Sequence, residues 1–392
     1  MPSKGKLPQE LIDQAIDHLW NDRDSLSTCS RVCHAWLPSA RTHLFRDQRL
    51  TGAKHCARFE ALLEGNPDIA PYVRKLTISE PMSTAYAQNW VNRVPALVGK
   101  LRRLTTLEFV GLHYVSLQHT SPETLSTLSR LTALVLADVY FDSFVDVHAL
   151  LSAACNIRDL CFYRVCWAAP SSSTYGSLPV KAPPPLRRLV IDSWASSAML
   201  QEWLLPSARR LDVRTLMVRW RERDSIDVLN GLLKACGTAT QNLYIELPTT
   251  MEGACSGTPF TVPGRRYSHI HAETQVLPSL FYNTNLRSLE IDGLVVPGCV
   301  PWTSAWLAHL RAPTLEKLSV TLLVLDSASI SSFDWTTLDS VLSQPSFKGT
   351  TLHLNINLAL HTNNDPRTVR EAVTGHLPGI AQRGKLSIHC FG

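Results

Sequence analysis

The stretch Leu104-Thr105-Thr106-Leu107-Glu108-Phe109 is one copy of a short unit that recurs along the chain. The unit consists of an apolar residue, two mostly polar residues, a leucine, any residue, and an apolar residue that favours β-structure. Alternation of apolar and polar residues over such a short run is typical of a half-buried strand. The central leucines of the units are Leu76, Leu107, Leu134, Leu160, Leu189, Leu216, Leu243, Leu289, Leu318, Leu352 and Leu386.

The spacing of these units indicates a repeat architecture. Helical stretches such as Ser143 to Cys155 and Trp335 to Leu342 lie between them. One strand with one helix cannot bury its apolar side alone, so the units must stack into a parallel sheet. The pattern resembles degenerate leucine-rich repeats, which occupy about 20 to 29 residues each. We therefore expect residues 71–392 to form a leucine-rich-repeat-like solenoid with a curved parallel sheet.

Two insertions interrupt the regular spacing of the repeat units. Residues 167–185 are rich in serine and proline, and residues 248–268 contain several glycines and prolines and the pair Arg265-Arg266. Such composition predicts extended loops. These loops are either flexible spacers or places where a partner is bound.

Residues 1–50 have the pattern of three short helices. Pro8 suits a first helical turn, so we predict a helix from Pro8 to Trp20. Asp22 or Asp24 can cap a second helix, which is predicted to carry Leu26 and Trp36, and Pro38 starts a third. The apolar arc of the first helix is nearly twice the width that one packing partner needs. The surplus is covered either by the rest of this chain or by another molecule.

The order of residues in this segment resembles the F-box. Leu7-Pro8-Gln9-Glu10-Leu11-Ile12 is followed by Leu19 and then by the run from Leu26 to Trp36. The resemblance implies an adaptor that docks on a Skp-family linker protein, which joins it to a cullin-RING ubiquitin ligase. The residues that it implies for the docking face or its support are Leu7, Pro8, Leu11, Ile12, Ile16, Leu26, Val32, Cys33 and Trp36.

Two positions depart from the F-box pattern. Ala15 stands where the family more often has a large aliphatic residue, and Arg31 stands where an apolar residue is common. Each change removes apolar area from the implied contact, at roughly 25 cal/mol per Å². These departures therefore bear on the affinity for the linker.

The predicted organisation is an F-box at 1–50, a connecting helix at 51–70, and the solenoid at 71–392. The fold class is α/β, with a three-helix head followed by the repeat sheet. The side chains flanking the second apolar residue of each unit are expected to point off the inner face of that sheet. Those of types enriched at interfaces are the candidate target-binding residues Tyr163, Met217, Arg219 and Tyr244.

Composition limits the classes of partner. A net charge of +5 over 392 residues is too small to indicate nucleic-acid binding. No stretch approaches eighteen apolar residues, so we expect neither a membrane span nor a signal peptide. Ten scattered cysteines fit buried residues in a reducing compartment, cytoplasmic or nuclear. We expect a protein target, no cofactor and no metal.

A basic seam is predicted along one rim of the sheet. Seven of the units carry a cation in the two positions before the central leucine. This rim is either simply solvated or meets an acidic partner segment. The residues of the seam are Arg74, Lys75, Arg158, Arg187, Arg188, Arg214, Arg287, Lys317 and Lys385.

Three functional hypotheses follow. The first is a non-enzymatic substrate receptor of a ubiquitin ligase. The second is an F-box scaffold that no longer enters a ligase. The third is an enzyme that uses a cysteine, such as Cys33 beside His34, or the pair His269 and His271. Two histidines do not make a metal site, and adjacent residues on a helix diverge by about 100°.

Overall fold

A computed structural model gives the fold of the chain in two compact units, Met1–Pro185 and Leu186–Gly392. The structure describes residues 8–80, 88–115, 122–167, 184–192, 200, 204–205, 210–220, 226–246, 279–296, 307, 310–325, 330–331, 333–359 and 365–391. In these residues, no helix is both long enough and apolar enough to span a membrane.

The first unit opens with three short helices that we call the head. The Asp22 side chain accepts a hydrogen bond from the Ser25 backbone N–H at 3.1 Å and so caps the second helix, as predicted. Ile16, Leu26 and Ala40 form the core between the helices. The helices are α1 (Gln9–Asp17), α2 (Arg23–Val32) and α3 (Leu37–Arg46).

Two helices of the head end earlier than the sequence pattern predicts. The Leu19 N–H bonds to the Ile16 carbonyl, and the Trp20 N–H to the Asp17 carbonyl. These bonds span three residues and tighten the last turn, so α1 ends at Asp17 and not at Trp20. Cys33 has extended backbone, which ends α2 at Val32.

The head runs directly into the sheet through β1 (Asp47–Thr51), a strand that the sequence analysis missed. β1 pairs in parallel with β2 (Lys75–Ser79), and Gln48 lies opposite Leu76. A polar residue therefore occupies the place where the repeat has its central leucine, which explains why the pattern did not include this strand. The sheet consequently begins inside the segment 1–50.

The connecting helix is α4 (Gly52–Gly65), close to its predicted bounds. Gly52 has a positive φ of 76°, which a glycine adopts without the penalty that a Cβ would bring. This conformation lets the chain turn from β1 into α4 without an intervening residue. Cys56, Phe59 and Leu63 bury one face of α4.

The rest of the first unit alternates strands with helical segments. Four parallel strands place Leu76, Leu107, Leu134 and Leu160 directly opposite one another, and all four are buried. The elements are β3 (Thr106–Val115), β4 (Ala133–Phe141), β5 (Asp159–Tyr163), β6 (Cys166–Trp167), α5 (Val94–Lys100), α6 (Pro122–Ser126), α7 (Phe144–Ala153) and 3₁₀ turns at Pro67–Tyr72, Gln88–Arg93 and Thr127–Arg130.

The second unit repeats the same plan. Its central leucines pair in the register that the sequence predicts, from Leu189 opposite Leu216 to Leu352 opposite Leu386. The strands are β7 (Arg188–Asp192), β8 (Thr215–Arg219), β9 (Asn242–Glu246), β10 (Ser288–Val296), β11 (Lys317–Val324), β12 (Thr351–Leu358) and β13 (Leu386–Phe391). The helices are α8 (Ile226–Cys236), α9 (Trp335–Leu342), α10 (Pro366–His376) and α11 (Pro378–Gln382), with 3₁₀ turns at Gly237–Ala239 and Pro345–Phe347.

The predicted fold class is confirmed: N-terminal helices precede parallel strands that alternate with helices. Helix α9 has the predicted bounds, and α7 begins after Ser143, whose side chain caps it. Most of the two insertions, residues 168–183 and 248–268, lies outside the described residues.

Replacing a central leucine should destabilise the chain far more than replacing its neighbour on the strand. Leu134 is fully buried, so Leu134→Ala is expected to lower the free energy of unfolding by about 2–5 kcal/mol. Val135 lies on the other face of β4 and is only partly buried, so Val135→Ala is expected to cost less than about 1.5 kcal/mol. Urea unfolding of both variants measures the difference. Equal losses would contradict the assigned register.

Candidate functional site

The head leaves large apolar side chains accessible. Leu11 on α1 is 49% exposed, Val32 at the end of α2 is 55% exposed, and Trp20 in the turn after α1 is 68% exposed. The core of the head is meanwhile closed by Ile16 and Leu26, which are almost fully buried. The apolar surplus expected from the helix pattern is therefore present as accessible surface.

The structure separates the predicted docking residues into two groups. Pro8, Leu11, Val32 and Cys33 are exposed, so another molecule can reach them. The others support the head from within: Ile16 and Leu26 are core residues, and Ile12 and Trp36 are partly buried against that core. Leu7 lies outside the described residues.

The two departures from the F-box pattern are accessible too. Ala15 is exposed one turn after Leu11 on α1, and Arg31 is exposed immediately before Val32 on α2. The Arg31 guanidinium is 3.5 Å from the Ser27 hydroxyl oxygen on its own helix. Ala15 therefore bears on the exposed side of α1 that carries Leu11, and Arg31 bears on the exposed end of α2 that carries Val32.

Polar contacts hold α1 against the rest of the head. The Gln9 amide donates to the Ala35 carbonyl at 2.9 Å and to Asp13 Oδ1 at 2.8 Å. The Ser39 hydroxyl also donates to Asp13, and the His43 ring lies 2.7 Å from Asp17 Oδ1. Because these contacts join α1 to α3 and to the turn before it, they fix which side of α1 is turned outward.

A second accessible surface is the face of each sheet opposite the central leucines, which we call the open face. In the first unit, the Glu108 carboxylate accepts a hydrogen bond from the Thr77 hydroxyl at 2.8 Å. It also forms an ion pair with Lys75, whose Nζ lies 2.8 Å from Glu108 Oε1. Tyr163 lies on β5, and the Arg164 guanidinium stands 4.8 Å from the centre of its ring. Arg164 also binds the Asp138 carboxylate.

Three predicted target-binding residues come together on the open face of the second unit. Met217 pairs with Tyr244 across β8 and β9, and Arg219 pairs with Glu246. Arg219 Nε lies 3.1 Å from Glu246 Oε2, and the Tyr244 hydroxyl donates to Asp292 at 3.0 Å. Burial and the Asp292 carboxylate raise the pKa of the Tyr244 phenol well above its usual range. The phenol therefore stays a neutral hydrogen-bond donor.

The cations of the predicted seam lie at or just before the first residue of each strand. Arg74, Arg158, Arg187, Arg188 and Arg214 are exposed there. Two other cations of the seam form ion pairs with acidic residues. Lys75 pairs with Glu108, and Arg287 Nη1 lies 3.8 Å from Glu316 Oε1. The seam is thus partly neutralised, and exposed pairs of this kind contribute little to stability.

The residues considered for catalysis do not assemble into a site that can be described. His269 and His271 lie outside the described residues. Cys33 and His34 are both exposed and follow the end of α2. Burial raises the pKa of the Cys236 thiol to about 12, which keeps it protonated and unreactive. No group of three or more metal-ligating side chains occurs in the part of the chain that is described.

Sequence reasoning missed two features of these surfaces. Trp20 was placed on the first helix but not in the docking set, and only the early end of α1 shows that it lies in the following turn. The open face of β11 to β13 was not recognised as one site either, although Lys317 and Lys385 were assigned to the basic seam. It carries Lys317, His353, Lys385 and His389, four residues from three different repeats.

Comparison with known proteins adds one partial match in sequence. No family model matches the chain. The chain is 32% identical over 74 residues, 19% of its length, to the F-box protein COS111 of Kluyveromyces lactis, and the match spans only 10% of that relative. The crystal structure of the Rad7 and Elc1 complex in yeast has a TM-score of 0.42 and 13% identity, covering 98% of this chain and 87% of that one. The chain is thus similar, over about a fifth of its length, to part of an F-box protein.

Proposed function

We propose that this protein is a non-catalytic substrate receptor of a ubiquitin ligase. The head is an F-box that docks on a Skp-family linker, and the linker joins it to a cullin. The open face of the repeat sheet binds a protein target. Ubiquitin transfer is carried out by other subunits, so the chain itself needs neither cofactor nor metal.

The observation that carries this proposal is the accessible apolar surface of the head. Leu11 and Val32 remain about half exposed although the head has a closed core of its own. Exposed large apolar side chains that are held on helix surfaces by packing beneath them are typical of protein-docking sites. The residue order from Pro8 to Trp36 and the partial match to an F-box protein support a linker as the molecule that covers this surface.

The target-binding role rests on the residue types of the open face. Met217 and Tyr244 are adjacent across two strands, and Arg219 lies next to them. Tyrosine, methionine and arginine are enriched at the centres of protein interfaces because each combines a large contact area with limited desolvation cost. Parallel strands hold them in fixed relative positions, which lowers the entropy cost of binding.

A second candidate function is a scaffold that binds the linker weakly or enters no ligase. The exposure of Ala15 and Arg31 favours it, because Ala15 follows Leu11 by one helical turn, Arg31 precedes Val32, and both lack the apolar area of the F-box pattern. Recovery of the linker without any cullin from native cells would support the scaffold. Recovery of both would support the ligase receptor.

Placing charges on the head surface should abolish linker binding. Leu11→Asp combined with Val32→Asp is expected to weaken binding of a purified Skp-family linker at least 100-fold, because each carboxylate would have to be desolvated in the contact. Isothermal titration calorimetry measures the affinity. Ala53→Asp with Ala57→Asp, which adds two carboxylates at exposed positions of α4 outside the head, is the matched control and should bind as the unaltered chain does. Unchanged binding by the first pair would contradict the proposed surface.

Restoring the F-box pattern should have the opposite effect. Ala15→Leu with Arg31→Leu adds apolar area next to Leu11 and Val32 and is expected to tighten linker binding by about tenfold. The same titration measures it. A weakened or unchanged affinity would show that these positions lie outside the contact.

The open face is tested by loss of the target. Met217→Ala with Tyr244→Ala should reduce recovery of the target at least tenfold in quantitative mass spectrometry of the native complex, while the linker is recovered in full. Asp227→Ala with Lys234→Ala alters exposed positions on α8 and serves as the control. Loss of target with the control pair only would place the target on the helical side.

A further inference from the structure

Charge on the open face of the second unit is divided between two groups of strands. The carboxylates lie on β7, β9 and β10, where they are Asp192, Glu246, Glu290 and Asp292. The open-face positions of β11 and β12, with those of β13 and the residue before it, are all described and contain no carboxylate. The ionisable residues there are Lys317, His353, Lys385 and His389, which we call the basic cluster.

The members of the basic cluster are close neighbours in the sheet. Lys317 begins β11, His353 pairs with Ser319 and Ser387, and His389 pairs with Asn355. Adjacent strands are about 4.8 Å apart, so the cluster spans only three strands. Burial, Lys317 and His389 together lower the pKa of His353. Crowded cationic groups of this kind gain stability when an anion is bound among them.

Hydrogen-bonding side chains surround the cluster. The Asn355 amide donates to the Ser319 hydroxyl at 3.3 Å, and the Ser387 hydroxyl lies 3.0 Å from His389 Nε2. Such donors can bind carboxylate oxygens together with the lysines. The cluster therefore has both the charge and the donors that a carboxylate needs.

The other end of the same face is apolar. Leu323 is 36% exposed and Phe391 is 56% exposed, and both lie in register with Asn357 between them. Leu323 follows Lys317 by six positions on β11, which at about 3.3 Å per residue is a distance of about 20 Å. Lys317 and Lys385 thus stand at one end of this three-stranded face, and Leu323 and Phe391 stand at the other. His353 and His389 lie between them, and the His389 ring stacks on the Phe391 ring with 6.4 Å between the ring centres.

We infer that this face binds an extended acidic segment of a target protein, with the acidic side chains on the basic cluster and a large apolar side chain on Leu323 and Phe391. The distance from Lys317 to Leu323 requires about six residues between the first acidic position and the apolar position of the segment. The inference deepens the proposed function and rests on it, since it names the kind of segment that the open face recognises.

A synthetic peptide tests the inference with the full chain. The probe is a fluorescein-labelled peptide of about ten residues with glutamates at one end, a Ser/Gly spacer, and Leu-Phe at the other end. Fluorescence anisotropy should show binding at least tenfold tighter than to the same peptide with Gln for Glu, and a smaller difference at high salt. Equal affinity for the Glu and Gln peptides would overturn the inference, and so would tighter binding of an oligonucleotide of equal charge.

Pairs of substitutions test where on the chain the peptide binds. Lys317→Glu with Lys385→Glu should weaken binding at least tenfold, because two attractions become repulsions. Lys348→Glu with Arg367→Glu makes the same change of charge at exposed positions outside the three strands and should have little effect. Leu323→Ser with Phe391→Ser should weaken binding of the complete probe but not of a probe that ends at the spacer. Equal losses in the first two pairs would overturn the inference.

The pH dependence of probe binding gives an independent test of the basic cluster. The charged groups that face His353 are Lys317 from β11 and His389 from β13, and all of them favour a bound anion when protonated. Because the pKa of His353 lies below the usual histidine value, this side chain gains its charge at a lower pH than an ordinary histidine does. Affinity for the Glu probe should therefore rise as the pH falls from about 7 to about 5, where the glutamates are still mostly ionised, and His353→Gln should reduce that rise. A rise of the same size in His353→Gln would argue against the involvement of His353 and overturn its place in the site.

The linker titration separates this inference from the proposed function. If the Glu probe does not bind while the Leu11 and Val32 variants lose the linker and the Met217 and Tyr244 variants lose the target, the receptor role stands and the acidic-segment inference fails. If the probe binds as expected but the head variants keep the linker, the proposed docking surface fails and the inference about the open face stands.

Discussion

The structure depends on the stacking of identical leucines in neighbouring parallel strands. Within each unit the central leucines lie opposite one another and are almost completely buried until the last strand, where Leu386 is only partly covered. A single strand with its helix has too little apolar surface to be stable by itself, so each repeat needs the next one. This constraint fixes the register of every strand, and the register in turn fixes which side chains reach the open face.

The head differs from the repeats, because it is too small to bury all of its apolar residues. Ile16, Leu26 and Ala40 close a minimal core, and Leu11 and Val32 remain outside it. The head is nevertheless part of the first unit, since β1 follows α3 without a break and pairs with β2. The exposed side chains of the head are therefore attached to the sheet by a strand and not by a flexible linker.

The open face carries two chemically different patches, and each patch is built from more than one repeat. On β8 and β9, Met217 and Tyr244 form an apolar contact area, and the Arg219 charge is balanced by Glu246. On β11 to β13, Lys317 and His389 have no carboxylate among the open-face positions of those strands. Because each strand contributes only every second side chain to this face, any extended surface on it is built from several repeats.

The sequence by itself determined the repeat, its register and the helical head, because hydrophobic periodicity is a local signal. It did not reveal β1, where Gln48 stands in place of a leucine, because that strand is held by pairing with β2. It also did not distinguish Leu11 from Ile16, which lie on the same apolar arc of α1 although only Ile16 is buried. The basic cluster required the tertiary structure for the same reason: His353 and His389 belong to different repeats and become neighbours only across strands.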